Sequence, residues 1–352
     1  NETRIDITHI PFSRYGAYVS VSRDEGKKEL IIHNVKRRFE EGPMFSLTFG
    51  KDEPQDFVCT ASPEKIRVEN ENGHAQIYIR DDQTVGIESF GLDLQVSLLR
   101  SNGYGVEESD RTFRMISVEQ RTYTTFAVEQ GAAYLEGPFE AYSTCENLKN
   151  KKKQLHVSCE NGHILMALTL SFVEPKPVIL PICPKEEMEE VKAEWNEFLG
   201  YLSENEEADE ETGEFARITW YNLWSSFVHA EDVYQHDTML MSKKYMSSVW
   251  SWDHCFNALA MAKISKQKAM EQFEAPFVLQ SEHGVLPDMW NPHSEIVWGV
   301  TKPPIHGWCF SRLMDQYDFD AAELRKVFGY LKKLTGCWME YSDTDHDGIP
   351  EY

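Results

Sequence analysis

The first half of the chain alternates between apolar and polar positions. In Leu92–Leu99, "LDLQVSLL", apolar residues fill every second position until the last, the period of a strand with one buried face. Runs of similar length recur at Ala17–Ser22, Glu29–His33, Met44–Phe49, Lys65–Glu69, Gln76–Ile79, Thr122–Val128 and Ile164–Phe172. "NENG" at 70–73 and "SNG" at 101–103 supply turn chemistry. Many short strands of this kind predict a β-sandwich or barrel over residues 1–178.

The period changes after Val173–Pro184, "VEPKPVILPICP". Its four prolines exclude a long helix or a central strand and predict a linker. Beyond it the apolar positions recur at helical spacing. Met188, Val191, Trp195 and Leu199 form one stripe within Glu186–Leu202. Phe215, Ile218, Leu223 and Phe227 mark Glu214–Val228. Asp253–Ile264, Lys266–Ser281, Gly307–Asp318 and Ala321–Tyr341 complete about six predicted helices. The chain therefore divides into a β domain at 1–178, a linker with a helix at 179–213 that includes the acidic run "ENEEADEETGE" at 204–214, and an all-α domain at 214–352.

Composition narrows the function. The 352 residues are 41% apolar and 26% charged, which reads as globular, with a formal net charge of -23. Nucleic-acid binding needs clustered Lys and Arg to displace counterions, so this charge argues against it. The one basic run, Lys149 with Lys151–Lys153, reads as a solvated turn. Cys59, Cys145, Cys159, Cys183, Cys255, Cys309 and Cys337 show no CxxC spacing. The pattern predicts free thiols in a reducing, cytoplasmic setting and no zinc site. Neither a signal-peptide pattern nor an apolar run long enough for a bilayer occurs in these residues, so no membrane partner is expected.

Two stretches carry candidate chemistry. "VWSWDHCFNALAMA" (Val249–Ala262) places Trp250, Trp252 and Asp253 directly before a helix. Asp253 could serve as a helix N-cap and the indoles as core. "HGVLPDMWNPHSEIVWGVTKPPIHGW" (283–308) is a long segment without a regular period. It holds three tryptophans, three histidines, Asp288, Asn291, Glu295 and Lys302. Loops of this length inside a helical domain are usually functional. Indole faces with fixed carboxylate, amide and ammonium groups suit a sugar, whose C–H faces lie on rings and whose hydroxyls need donors and acceptors. The same side chains could instead knit the loop to neighbouring helices.

"DTDHDGIPEY" (343–352) has its own logic. Asp343, Asp345 and Asp347 occupy the first three ligand positions of an EF-hand-like loop, Gly348 the sixth, and Ile349 offers a backbone carbonyl. The usual bidentate acid at position 12 has no counterpart here, and Glu351 at position 9 is the substitute. Calcium at these five residues and a solvated loop without a cation both stand. No organic cofactor is expected.

Taken in order, "WSWDHCFNALA", "GVLPDMW", "TKPPIHGW" and "DTDHDGIPEY" resemble glycoside hydrolase family 63, to which trehalases are related, and "IPFSRYGAYVS" at 10–20 resembles the opening of its β-sandwich in bacterial members. The resemblance implies an antiparallel β-sandwich followed by an (α/α)6 toroid, incomplete in this chain. It further implies hydrolysis of α-linked glucosides with inversion. Carried over, Trp252 and Asp253 line the subsite for the non-reducing sugar, and Lys302, before Pro303 and Pro304, contacts substrate. Trp290 and Trp308 are further substrate-binding candidates.

In the family, the general acid follows shortly after "DGIPEY" and the base farther on, so both are expected after Tyr352. Asp253 and Glu295 are the loop-adjacent alternatives. The remainder of the same barrel is then a required partner, and residues 1–352 alone are expected to aggregate and to lack hydrolysis. A phosphorylase on a similar barrel and a non-catalytic sugar-binding module are the competing functions.

Overall fold

The structure is a computed structural model that describes residues 3–37, 39–51, 53–100, 103–136, 154–201, 210–293, 296–299 and 302–351. Ser101 and Asn102 of the second turn, Cys145, the basic run at 149–153, most of the acidic run, Glu295 and Tyr352 lie outside the described residues. The chain separates into two compact units. One comprises Asn1–Ser226 with Ser242–Tyr245, the other Phe227–Met241 with Met246–Tyr352.

The first unit contains fourteen strands: β1 (Val19–Ser22), β2 (Glu29–Asn34), β3 (Pro43–Phe49), β4 (Val58–Ser62), β5 (Lys65–Asn70), β6 (Gly73–Ile79), β7 (Thr84–Phe90), β8 (Leu94–Leu98), β9 (Gly103–Ser109), β10 (Thr112–Ser117), β11 (Thr122–Gln130), β12 (Ala132–Glu136), β13 (Gln154–Ser158) and β14 (His163–Phe172). They form two antiparallel sheets, ordered β1-β2-β3-β8-β13-β12 and β4-β5-β6-β7-β14-β11-β10-β9. Phe45 of the first sheet meets Phe126 of the second edge-to-face at 5.5 Å, so alternate side chains of the two sheets share one core. Gly86 of β7 lies opposite Tyr78 of β6 in register. A Cβ at position 86 would stand 2.3 Å from the Tyr78 ring, so only glycine leaves that ring its place.

The proline-rich segment is pinned rather than loose. Val178 and Ile182 are buried against Ala127 and Ala167 of β11 and β14. Arg80 donates to the Ile179 carbonyl at 3.0 Å, and the Ile182 N–H donates to Glu129 Oε2 at 2.8 Å. Two helices follow, α1 (Pro184–Gly200) and α2 (Glu210–Ser226). Their apolar faces meet through aromatic rings, with Trp195 5.6 Å from Trp224 and 5.9 Å from Tyr221. The expected boundaries after 178 and 213 thus fall inside the first unit. Phe215 is exposed while Trp220, Tyr221 and Trp224 are buried, so the large rings rather than the first apolar position set the buried face of α2.

A tetrapeptide from farther along the chain completes this unit. The Lys243 side chain is buried, and its ammonium donates to Ser13 Oγ at 3.2 Å and to the Arg14 carbonyl at 3.0 Å. Burial holds its pKa well below the usual lysine value, with Asp82 working against that shift. Tyr245 accepts from the Phe39 N–H at 2.6 Å.

The second unit is mainly helical, with α3 (His254–Met261), α4 (Lys266–Glu274), α5 (His306–Met314) and α6 (Ala321–Tyr341). Four short pieces of strand form two antiparallel pairs: β15 (Phe227–Val228) with β16 (Thr238–Met239), and β17 (Val249–Trp250) with β18 (Met289–Trp290). Helix α4 starts where Ser265 Oγ accepts from the Lys268 N–H at 3.1 Å, an N-cap. The predicted helix over Lys266–Ser281 changes to a 3-10 turn at Ala275–Leu279, because Pro276 has no N–H to continue the ladder. Cys255, Ala258, Phe273, Phe277, Cys309, Phe310, Leu313, Val327 and Leu334 share one core. A β part followed by a helical part agrees with the expected class. Among the described residues no helix is long and apolar enough to cross a membrane.

Candidate functional site

The two sequence stretches meet in the second unit. Pairing of β17 with β18 sets Val249 opposite Trp290 and Trp250 opposite Met289. The ladder extends on both sides. The Ser251 N–H donates to the Asp288 carbonyl at 3.1 Å, and the Asp288 N–H donates to the Val297 carbonyl at 2.8 Å. The segment at 283–308 is therefore anchored to the residues just before α3, and its last three residues already belong to α5.

Asp253 sits at the N-cap position of α3, yet its side chain makes no capping hydrogen bond. Its carboxyl is left available beside charged neighbours. Burial pushes the Asp253 pKa above the usual value; Lys302 draws it down and Asp288 pushes it further up. Lys302 Nζ lies 3.2 Å from Asp288 Oδ1, an ion pair that lacks hydrogen-bond alignment, so the buried Oδ1 has no hydrogen-bond donor. Two carboxylates thus share the neighbourhood of one ammonium.

Aromatic rings form a row next to this set. Trp252 meets Phe256 at 5.2 Å, and Phe256 meets Trp308 at 6.1 Å. Phe256 is 45% and Trp308 46% exposed, so the row faces solvent. Trp252 is half-buried, and its indole N–H has no partner. Trp290 differs: it is 1% exposed, and its carbonyl accepts from Tyr234 Oη at 3.1 Å. Its ring offers no open face, which makes it a strut of the loop here in place of a sugar platform. Asn291 is likewise buried, donating to the Ser247 carbonyl.

Behind the row lie two buried histidines. His306 Nε2 is 3.0 Å from the Ser251 carbonyl, and His254 Nδ1 is 3.3 Å from Asn257 Nδ2. Burial lowers His254 to about 3 and His306 to about 4, so both are neutral at pH 7. The sequence named Asp288 and counted His306 only within the polar content of 283–308, with no role for either, and did not single out Phe256. Phe256 reads as an ordinary apolar helix position, and its only signal is the four-residue spacing from Trp252.

The acidic loop folds on itself. Carboxylate oxygens of Asp343, Asp345, Asp347 and Glu351 all lie within 4.8 Å of one another. The Gly348 N–H donates to Asp343 Oδ2 at 3.1 Å and the Ile349 N–H to Asp347 Oδ1 at 2.8 Å. Asp343 is buried and its Oδ1 has no partner. Glu351 accepts from the Thr344 N–H, which lowers its pKa. Four acids this close, one with an orphaned buried oxygen, are a donor set that fits a hard divalent cation. A second group, the adjacent Glu231 and Asp232 with the distant His293, also brings its ligand atoms within 4.8 Å, a pairing that local spacing does not show.

An exposed aromatic row, two acids and an ammonium thus sit together on a helical scaffold. Residues 246–352 match the family model of the mannosylglycerate hydrolase MGH1-like glycoside hydrolase domain. All four motifs that carry the resemblance to glycoside hydrolase family 63 lie within that segment, and the match agrees with it. The matched segment makes up most of the second unit and supports a glycoside hydrolase activity in general, which implies a glycoside as substrate. No curated protein matches the chain.

Proposed function

We propose that the protein is an inverting glycosidase that acts on a short α-linked glucoside or α-mannoside. The single observation that supports this reading is the gathering of Asp253, Lys302 and Asp288 beside the Trp252–Phe256–Trp308 row within the matched segment. In this reading Trp252 and Trp308 present ring faces to the sugar. Asp253 accepts from its hydroxyls and Lys302 donates to them. Trp290 supports the loop from behind. No described carboxylate is assigned as acid or base.

The charges bear on which part of the substrate enters. Two carboxylates against one ammonium leave the set with a negative balance, so the neutral glycosyl group suits it and an anionic group does not. The name of the matched domain makes mannosylglycerate the first substrate to test, with its sugar at this set and its acid elsewhere. The decisive assay incubates the full-length protein with mannosylglycerate and with glucose disaccharides, and follows the anomer released by proton NMR. A β-anomer as first product supports inversion. Phosphate-dependent turnover would favour the phosphorylase, and binding without turnover would favour the sugar-binding module.

Calcium at Asp343, Asp345, Asp347, Ile349 and Glu351 is proposed as a structural ion. It would tie the end of α6 to the residues that follow, and no step of the chemistry is assigned to it.

A further inference from the structure

We propose that His306 is the positioning residue of the sugar site: its Nε2–H holds the Ser251 carbonyl and so fixes the corner from which Trp252 and Asp253 project. This inference rests on the glycoside reading above. The carbonyls of Trp252 and Asp253 accept from the N–H groups of Cys255, Phe256 and Asn257, but their side chains supply no fastener, since Asp253 makes no side-chain cap and the Trp252 indole N–H has no partner. The preceding peptide is instead clamped from both sides. The buried Ser251 gives its N–H to the Asp288 carbonyl at 3.1 Å and takes His306 Nε2 at 3.0 Å.

His306 is placed to couple all the parts. It opens α5, two residues before Trp308 and four after Lys302. Its ring stands edge-on to Phe277 at 5.3 Å, which sets its direction. A carbonyl can only accept, so Nε2 must carry the hydrogen and Nδ1 the lone pair. Nδ1 has no hydrogen-bond partner, in agreement with that tautomer. Burial keeps the ring neutral, so the donor brings no charge to the Ser251 carbonyl. A buried, rigid, uncharged donor is what holding a binding corner in place requires.

The test uses the full-length protein with methyl α-D-mannopyranoside and methyl α-D-glucopyranoside as calorimetric probes. His306→Gln keeps an N–H at similar reach; His306→Met keeps the bulk without it. The expected result is binding at least tenfold weaker in H306M and within threefold of the parent in H306Q. Equal weakening in both variants, or none in H306M, overturns the proposal. A second measurement needs no variant: imidazole nitrogen shifts of the unmodified protein at pH 7 should show the neutral Nε2–H tautomer at His306. The Nδ1–H tautomer, or a charged ring, overturns it. Failure of the unmodified protein to bind either glycoside sinks the glycoside reading itself, and the tautomer then decides the fastening alone.

Discussion

Asp253 shows how one side chain can be poor for the fold and good for a ligand. Half-buried, uncapping and close to Asp288, it carries its charge at a cost, which is why its pKa rises. A carboxyl whose pKa is higher in the folded than in the unfolded state weakens folding when ionised and ceases to do so as pH falls through the folded value. Asp253→Asn should therefore leave the melting temperature unchanged or higher. It should also weaken sugar binding by about 1.5–3 kcal/mol, the worth of a charge-assisted acceptor. Calorimetry and thermal unfolding of the same sample check both halves. A lower melting temperature with intact binding would return Asp253 to a purely structural role. Residue type marked the two stretches as candidates, because indoles, acids and an ammonium suit a sugar, while the roles of Trp252, Asp253, Lys302 and Trp308 came only from the family resemblance. Asp288 and His306 were visible only as members of a list; what they do depends on distances across the fold. Trp290 looked equivalent to Trp308 in the chain and differs only in burial.

At the level of elements, strands could be read where alternation was clean, as in β8, and were missed where it was not. β7, "TVGIESF", is buried on both faces along most of its length, and β9, "GYGVEES", mixes glycine with acids, so neither shows a period of two. Gly86 marks one such place. Gly86→Ala would drive a methyl into the Tyr78 ring and should destabilise the sheet unit by about 1–3 kcal/mol in urea denaturation. An unchanged midpoint would mean that the ring can step aside. The acidic loop was legible because its spacing is local: residues two apart in a tight turn need no long-range information to converge. If it holds calcium, ion at about 100 times its dissociation constant should add about 2.7 kcal/mol to the stability of the helical unit. A chelator should remove that increment, and equal melting temperatures with calcium and with chelator would exclude the site.

For the molecule as a whole, neutral buried histidines set the response to acid. His33 in the sheet unit falls to about 3 through burial, as does His254 in the helical unit, while His306 there falls to about 4. The unfolded chain takes up these protons near pH 6.5, whereas the folded units do not until far lower. Their contribution is complete above pH 6.5 and is lost as pH drops from there, toward about 4 for His306 and about 3 for His33 and His254. Each histidine gives a slope on the order of 1 kcal/mol per pH unit. With two such groups against one, the helical unit should lose stability about twice as steeply. The net charge of -23 acts in the other direction, since its repulsion eases with acid. Denaturation between pH 7 and 5 in strong salt suppresses that effect and isolates the histidines. Equal slopes for the two units would contradict the assignment.

The lysine at 243 gives the molecule a rule about how it can be divided. Because the sheet unit borrows Ser242–Tyr245 from beyond Ser226, no single cut yields both units whole. A piece ending at Ser226 would lose the buried Lys243 side chain and its bonds to the Ser13 hydroxyl and the Arg14 carbonyl, leaving these the Val19 carbonyl and the Ala17 N–H as partners around an emptied space. Such a piece should melt well below the same unit in the intact chain. A synthetic peptide spanning 240–247, added in excess, should return part of the difference.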